Sequence, residues 1–147
     1  MTALEKLLPP EHIVELKGAD KASVLRELAF IAARAKGMPA PEVVLEAIKE
    51  REALLSTGIG VGIAIPHCKD KRVKDFSVAL GRSARPVEYG SSDGVPVRIL
   101  AMIVAPDSRQ DEYLRLLSRV TKFLRTEKDR MLELPNFKDI HEVVHTY

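Results

Sequence analysis

Apolar residues recur at helical spacing after Asp20, where Val24, Leu25, Leu28, Ile31, Ala32 and Ala35 share one face until Gly37 interrupts them. A second amphipathic stretch follows Pro41, a residue tolerated in a first helical turn. Val44, Leu45 and Ile48 carry its stripe, which fades near Arg51 or Glu52. The longest helix is predicted from Asp107 or Ser108, with acidic residues in its first turn where the helix dipole favours them. Tyr113, Leu116, Leu117, Val120, Phe123 and Leu124 form its buried stripe, and two short helices are predicted to finish the chain.

Other segments alternate or run apolar in the manner of strands. His12 to Leu16 reads as one short strand and Phe76 to Leu80 as another. Arg98 to Ala105 is nearly continuous in Ile99, Leu100, Met102, Ile103 and Val104, which predicts a central strand covered on both faces. Asp93-Gly94, between these two, marks a turn. Ser56 to Gly62 is small, glycine-rich and predicted as loop. It runs into Ile63-Ala64-Ile65, a short strand that Pro66 ends for want of an N–H, leaving His67 at the strand exit. Helices interleave with strands throughout. The predicted fold is therefore α/β, a three-layer sandwich of a mixed, about five-stranded sheet with helices on both faces. No repeat or low-complexity segment divides the chain, so residues 1–147 read as one domain.

Composition narrows the function classes. With 46% hydrophobic and 30% charged residues the chain is of globular type. Its net charge of +2 comes from 23 basic and 21 acidic side chains that are well interspersed, so no block of like charge offers a nucleic-acid surface. No apolar run approaches the ~18 residues of a membrane span, and Met1 to Leu8 lacks the layout of a secretory signal. The single cysteine, Cys68, has no internal disulfide partner, in keeping with a reducing compartment. A cytoplasmic protein with no nucleic-acid partner and no membrane insertion is expected.

The chemistry concentrates between Arg51 and Cys68. A phosphoryl carrier needs a nucleophile of moderate basicity that forms a labile bond, and an imidazole such as that of His67 supplies both near neutral pH. It also needs an anion cradle. Gly58, Gly60 and Gly62 let backbone N–H groups approach oxygen atoms closely, Ser56 and Thr57 offer hydroxyls, and Arg51 offers a fork of charge-assisted donors. Arg51 has a competing use as a helix-end cation on the dipole, and Ser56 and Thr57 as hydroxyls that satisfy loop backbone. A dinucleotide or Walker-type loop does not fit. These glycines follow a helix and open a strand, and no Gly-Lys-Ser/Thr ending is present.

This segment resembles the phosphorylation-site signature of the IIA components of the bacterial phosphoenolpyruvate-dependent phosphotransferase system, in the fructose/mannitol and nitrogen-regulatory branches. The resemblance rests on the Arg51-Glu52 pair, Ser56-Thr57-Gly58-Ile59-Gly60, the run from Gly62 to His67 and the small Cys68. It continues through Pro86, Asp93-Gly94, Pro96-Val97, Pro106 and the leucine-rich helix. It implies that His67 accepts a phosphoryl group, on Nε2, from an HPr-type carrier and passes it to a cysteine of a IIB domain, or signals to a regulated protein by its phosphorylation state. It further implies that Arg51, Ser56 and Thr57 stabilise the phosphate, and that no metal or organic cofactor takes part. A stand-alone regulatory chain is favoured, because no IIB or transporter sequence is present.

The resemblance departs at two positions. Where many relatives place a second histidine at the start of the long helix, this chain has Tyr113, with Arg115 two residues on. Leu55 stands where a glycine usually precedes Ser-Thr. Tyr113 can hydrogen-bond a phosphate oxygen and Arg115 can neutralise charge, so both are possible neighbours of the site. The departures motivate a rival reading, a regulatory binding module of the same fold that has lost phosphotransfer. A remote rival is a zinc peptidase, through His141-Glu142-Val143-Val144-His145. That motif lacks a downstream third ligand and reads as a chance match. His12 is expected to have no chemical role, and Lys69, Lys71, Arg72 and Lys74 to form a solvated turn rather than a docking patch.

Overall fold

In a computed structural model that describes residues 3–147, a short helix α1 (Leu4–Leu7) and a 3₁₀ turn (Pro10–His12) lead into strand β1 (Ile13–Leu16). Helix α2 (Lys21–Ala32) starts where the Asp20 carboxylate accepts the Ser23 N–H at 2.8 Å, satisfying one of the unpaired donors of a first turn. Helix α3 (Pro41–Leu54) begins on its proline and runs past Glu52 to Leu54. The glycine-rich segment is not all loop. It holds β2 (Gly58–Gly60), which pairs antiparallel with β3 (Ile63–Ala64). Strands β4 (His67–Asp70), β5 (Ser77–Val87) and β6 (Val97–Pro106) follow, then α4 (Gln110–Glu133), a 3₁₀ turn (Phe137–Ile140) and α5 (His141–Val144).

The sheet order is β1-β5-β6-β3-β2, with β4 also on β6. β3 and β4 are two lengths of one lane. Ile63 lies opposite Ile99 and His67 opposite Ile103, so the register on β6 is the same before and after Pro66. The expected stop at proline is therefore an interruption. Pro66 lacks an N–H, but its carbonyl still accepts Ile103 N–H at 3.0 Å, and the ladder resumes at His67. Among the described residues the sheet thus has six strands in five lanes, mixed in direction, as the alternating pattern predicts.

Along β6, Ile99, Ala101, Ile103 and Ala105 pack toward α4, while Leu100, Met102 and Val104 pack toward α2 and α3. These two cores are the reason β6 is apolar at nearly every position. Elements also differ from the periodicity reading at their ends: His12 closes a 3₁₀ turn, Phe76 precedes β5, β5 runs on to Val87, and α4 starts at Gln110. Among the described residues, no helix is long and apolar enough to cross a membrane.

The end of α4 is tied down by a buried arginine. Arg82, 7% exposed, donates to the carbonyls of Met131 and Leu134 and clasps Glu15 through Nε and Nη2. Its fork thereby joins β1, β5 and the end of α4. Replacing it leaves helix-end carbonyls unpaired. Arg82→Ala is expected to lower unfolding stability by about 2–3 kcal/mol in urea titration, and Arg82→Lys to recover only part of it.

Candidate functional site

His67 begins β4, whose outer edge carries no strand among the described residues, and its ring faces the α4 side with its ladder partner Ile103. The ring lies in a depression of about 510 Å³ between α3 and the start of α4, lined by Ala47, Glu50, Arg51, Leu54, His67, Cys68, Lys69, Asp70, Tyr113 and Leu117. One hydrogen bond decides its chemistry. Nδ1 lies 2.7 Å from the Ile65 carbonyl oxygen, and a carbonyl only accepts, so Nδ1 carries the proton. In the neutral ring the nucleophilic lone pair then belongs to Nε2 alone.

Burial is the largest influence on His67 and disfavours its protonated form, while the Ile65 carbonyl pulls the other way. Arg51 and Lys69 add to the depression of its pKa, and Glu52 opposes them. The net shift is below the ordinary value of 6.5, so the imidazole is neutral at physiological pH.

The walls of the depression mix charge and apolar surface. Arg51 donates from Nη1 to the Leu55 carbonyl at 2.8 Å, closing the end of α3, so the helix-end use and the place beside His67 coexist. Its fork has further donors to spare. Lys69 bonds Gln110 at 2.6 Å, and its ammonium sits 5.2 Å from the centre of the Tyr113 ring. Asp70 is clasped by Arg72, first of all by hydrogen bonds, which pull its pKa down to about 2. The Tyr113 ring is 6.0 Å from that of His67, and burial pushes its hydroxyl up to about 12, so the phenol stays neutral. Cys68 points to the opposite core, and burial raises its thiol to about 12, which leaves little thiolate.

Behind the depression lies a polar cluster. Glu52 is 9% exposed and occupies the inward stripe of α3 with Val44 and Ile48. It pairs with Lys21 at 2.8 Å, accepts the Tyr89 hydroxyl at 2.9 Å and holds both the N–H and the hydroxyl of Thr57. Burial opposes its charge, but the bonds from Lys21, Thr57 and Tyr89 outweigh it and keep its pKa below the usual range. In turn, burial and the Glu52 charge drive the Tyr89 hydroxyl upward. A carboxylate at stripe spacing was the signal for this cluster, because a buried charge requires partners.

The sequence profile of the family described as "Phosphoenolpyruvate-dependent sugar phosphotransferase system, EIIA 2" matches residues 6–146. The chain belongs to this family. A nitrogen regulatory protein of Pseudomonas aeruginosa is 32% identical over 147 residues, covering 98% of this chain and 96% of that one. A PTS system fructose-specific EIIA component of Haloferax volcanii is 30% identical, with 98% and 96% covered. Among solved structures, the nitrogen regulatory protein IIA-Ntr of Neisseria meningitidis matches with a TM-score of 0.88 at 26% identity, over 95% of this chain and 97% of that one.

Within this EIIA 2 chain, the fold brings His67, Arg51 and Tyr113 to one depression. Ser56 and Thr57 stand outside its lining. The Ser56 hydroxyl donates to the Tyr89 carbonyl at 3.2 Å and accepts the Gly58 N–H at 3.1 Å, while Thr57 is buried in the Glu52 cluster. Arg115 is exposed on α4 and Leu55 is 71% exposed at the end of α3. Lys69 belongs to a strand and faces Tyr113, rather than lying in the turn with Lys71 and Arg72. His141 to Val144 form a single turn, and among the described residues no group of three His, Cys, Asp or Glu side chains is placed to hold a metal ion.

The electrostatic balance at His67 has a measurable sign. Following its ring protons by NMR, the titration midpoint of His67 is expected below 6.5. Arg51→Gln removes a nearby cation and moves that midpoint upward. A midpoint above 6.5, or a downward move, contradicts the geometry described.

Proposed function

We propose that this EIIA 2 chain is a phosphocarrier whose acceptor is Nε2 of His67. The observation that carries the proposal is the Nδ1 to Ile65 carbonyl contact at 2.7 Å, which leaves one nucleophilic nitrogen in a depression beside an arginine. The donor is the phosphohistidine of an HPr-type carrier. The Nε2 lone pair forms the new P–N bond as the donor's P–N bond breaks, its electrons returning to the donor's ring nitrogen. The His67 ring then has both nitrogens substituted and carries positive charge, which the Ile65 carbonyl accommodates by accepting Nδ1–H. A ring held in that charged form is a good leaving group. Onward transfer goes to a cysteine of a IIB domain, or the phosphorylated state itself is read by a regulated protein.

The incoming phosphoryl group brings close to two negative charges. Arg51 and Lys69 are the cations that meet it, because the Asp70 charge is already taken up by Arg72. Tyr113 substitutes for the second histidine of many relatives as a neutral hydroxyl donor that cannot shuttle a proton near neutral pH. Ser56 and Thr57, engaged within the hairpin, stabilise the phosphate by holding the loop. A phosphoenolpyruvate-fed relay of this kind operates in the cytoplasm.

Incubation with phosphoenolpyruvate, enzyme I and an HPr-type carrier is expected to label the protein with acid-labile, base-stable phosphate. His67→Ala abolishes the label, and Arg51→Gln slows its appearance by about 100-fold, the loss typical of a removed charge-stabilising donor. Absence of label on the folded protein with a cognate carrier sinks this proposal and leaves a binding module.

A further inference from the structure

The Ile65 carbonyl that holds Nδ1 of His67 is itself held in place. The chain of contacts behind it starts at Glu52. Its carboxylate accepts the Thr57 N–H at 3.2 Å and the Thr57 hydroxyl, so Thr57 is gripped from both backbone and side chain. Thr57 returns its own carbonyl to the Ile65 N–H at 3.0 Å. Ile65 precedes a proline, which restricts it to extended conformations, so fixing the peptide on its N-terminal side also fixes the direction of its carbonyl. The Pro66 carbonyl is anchored separately on Ile103 N–H at 3.0 Å. The Ile65 oxygen, held from both ends, meets Nδ1 of His67 at 2.7 Å.

Every link is a hydrogen bond or a dihedral restriction, and the root is one buried carboxylate. Glu52 is itself braced by Lys21 from α2 and Tyr89 from the segment after β5. It does not line the depression that holds His67, so direct contact with a phosphoryl group is not its use. We propose that Glu52 is a positioning residue that holds His67 in its Nδ1–H tautomer by way of Thr57, Ile65 and Pro66. The consequence for phosphotransfer rests on His67 being the acceptor. The tautomer itself does not, and is read without any phosphoryl donor.

Long-range ¹H–¹⁵N correlation on the labelled, unphosphorylated protein, at a pH where His67 is neutral, reports which ring nitrogen carries the proton. The wild-type spectrum is expected to show Nδ1–H as the dominant form. Glu52→Ala shifts the population toward Nε2–H and slows phosphorylation by about 10-fold to 100-fold, the range known for losing a group that orients a metal-bound imidazole. Glu52→Gln, which fills the same space but leaves Lys21 without its counter-charge, shifts the tautomer less and in the same direction. If the alanine variant does not fold, the glutamine variant decides. A folded variant whose His67 keeps the wild-type proportion of Nδ1–H overturns the proposal, whatever its phosphorylation rate. So does a wild-type spectrum dominated by Nε2–H. If the tautomer moves but the wild-type protein takes no label, the phosphocarrier reading fails while the positioning role stands.

Discussion

The contact between His67 Nδ1 and the Ile65 carbonyl sets the requirements that the surrounding structure meets. An imidazole free to exchange tautomers offers either nitrogen to an electrophile, and a relay protein needs one. The carbonyl that removes this ambiguity belongs to a residue two positions earlier in the chain. The backbone must therefore fold back onto its own side chain. Pro66 stands between that carbonyl and His67, and β6 keeps the two halves of the interrupted lane in register. β6 is itself held between two cores, one shared with α4 and the other with α2 and α3.

Electrostatics around the ring have two duties that conflict. Cations near His67 keep the unmodified ring neutral and available, and in the proposed role they also receive the phosphoryl charge. The same cations penalise the positively charged ring that the proposed transfer produces. The Ile65 carbonyl and the Glu52 carboxylate act in the opposite sense, since both favour the charged ring. The balance leaves a nucleophile in the resting protein and a labile bond in the proposed product. Apolar surface flanks this balance: Leu54 is 81% exposed and Leu114 50% exposed on the two helices that border the depression.

Much of this fold is written in residue types. Asp20, Gly37, Pro41 and the apolar run of β6 each announce a local structure, because capping, chain reversal, a first-turn proline and two-sided burial have few chemical solutions. A chemical role for His67 could be proposed only with its neighbours, from Arg51 through Cys68. Ile65 was not legible as a site residue, since its contribution is a backbone oxygen and any side chain could supply one. β2 was hidden because Gly58 and Gly60 have no strand preference of their own. They are needed because a side chain at Gly58 would collide with Ser91, and because Gly60 has a φ of +89°. Glu52 was legible in principle, as a charge spaced four residues from Ile48 on a buried stripe.

The most direct measurement is the identity of the phosphorylated nitrogen. Phosphorylation of ¹⁵N-labelled protein, followed by ³¹P–¹⁵N correlation, assigns the phosphoryl group to one atom of one ring. The expected result is a single signal at Nε2 of His67 with Nδ1 still bearing its proton. A phosphoryl group on Nδ1, or on any residue other than His67, contradicts the geometry from which the whole reading of this site follows.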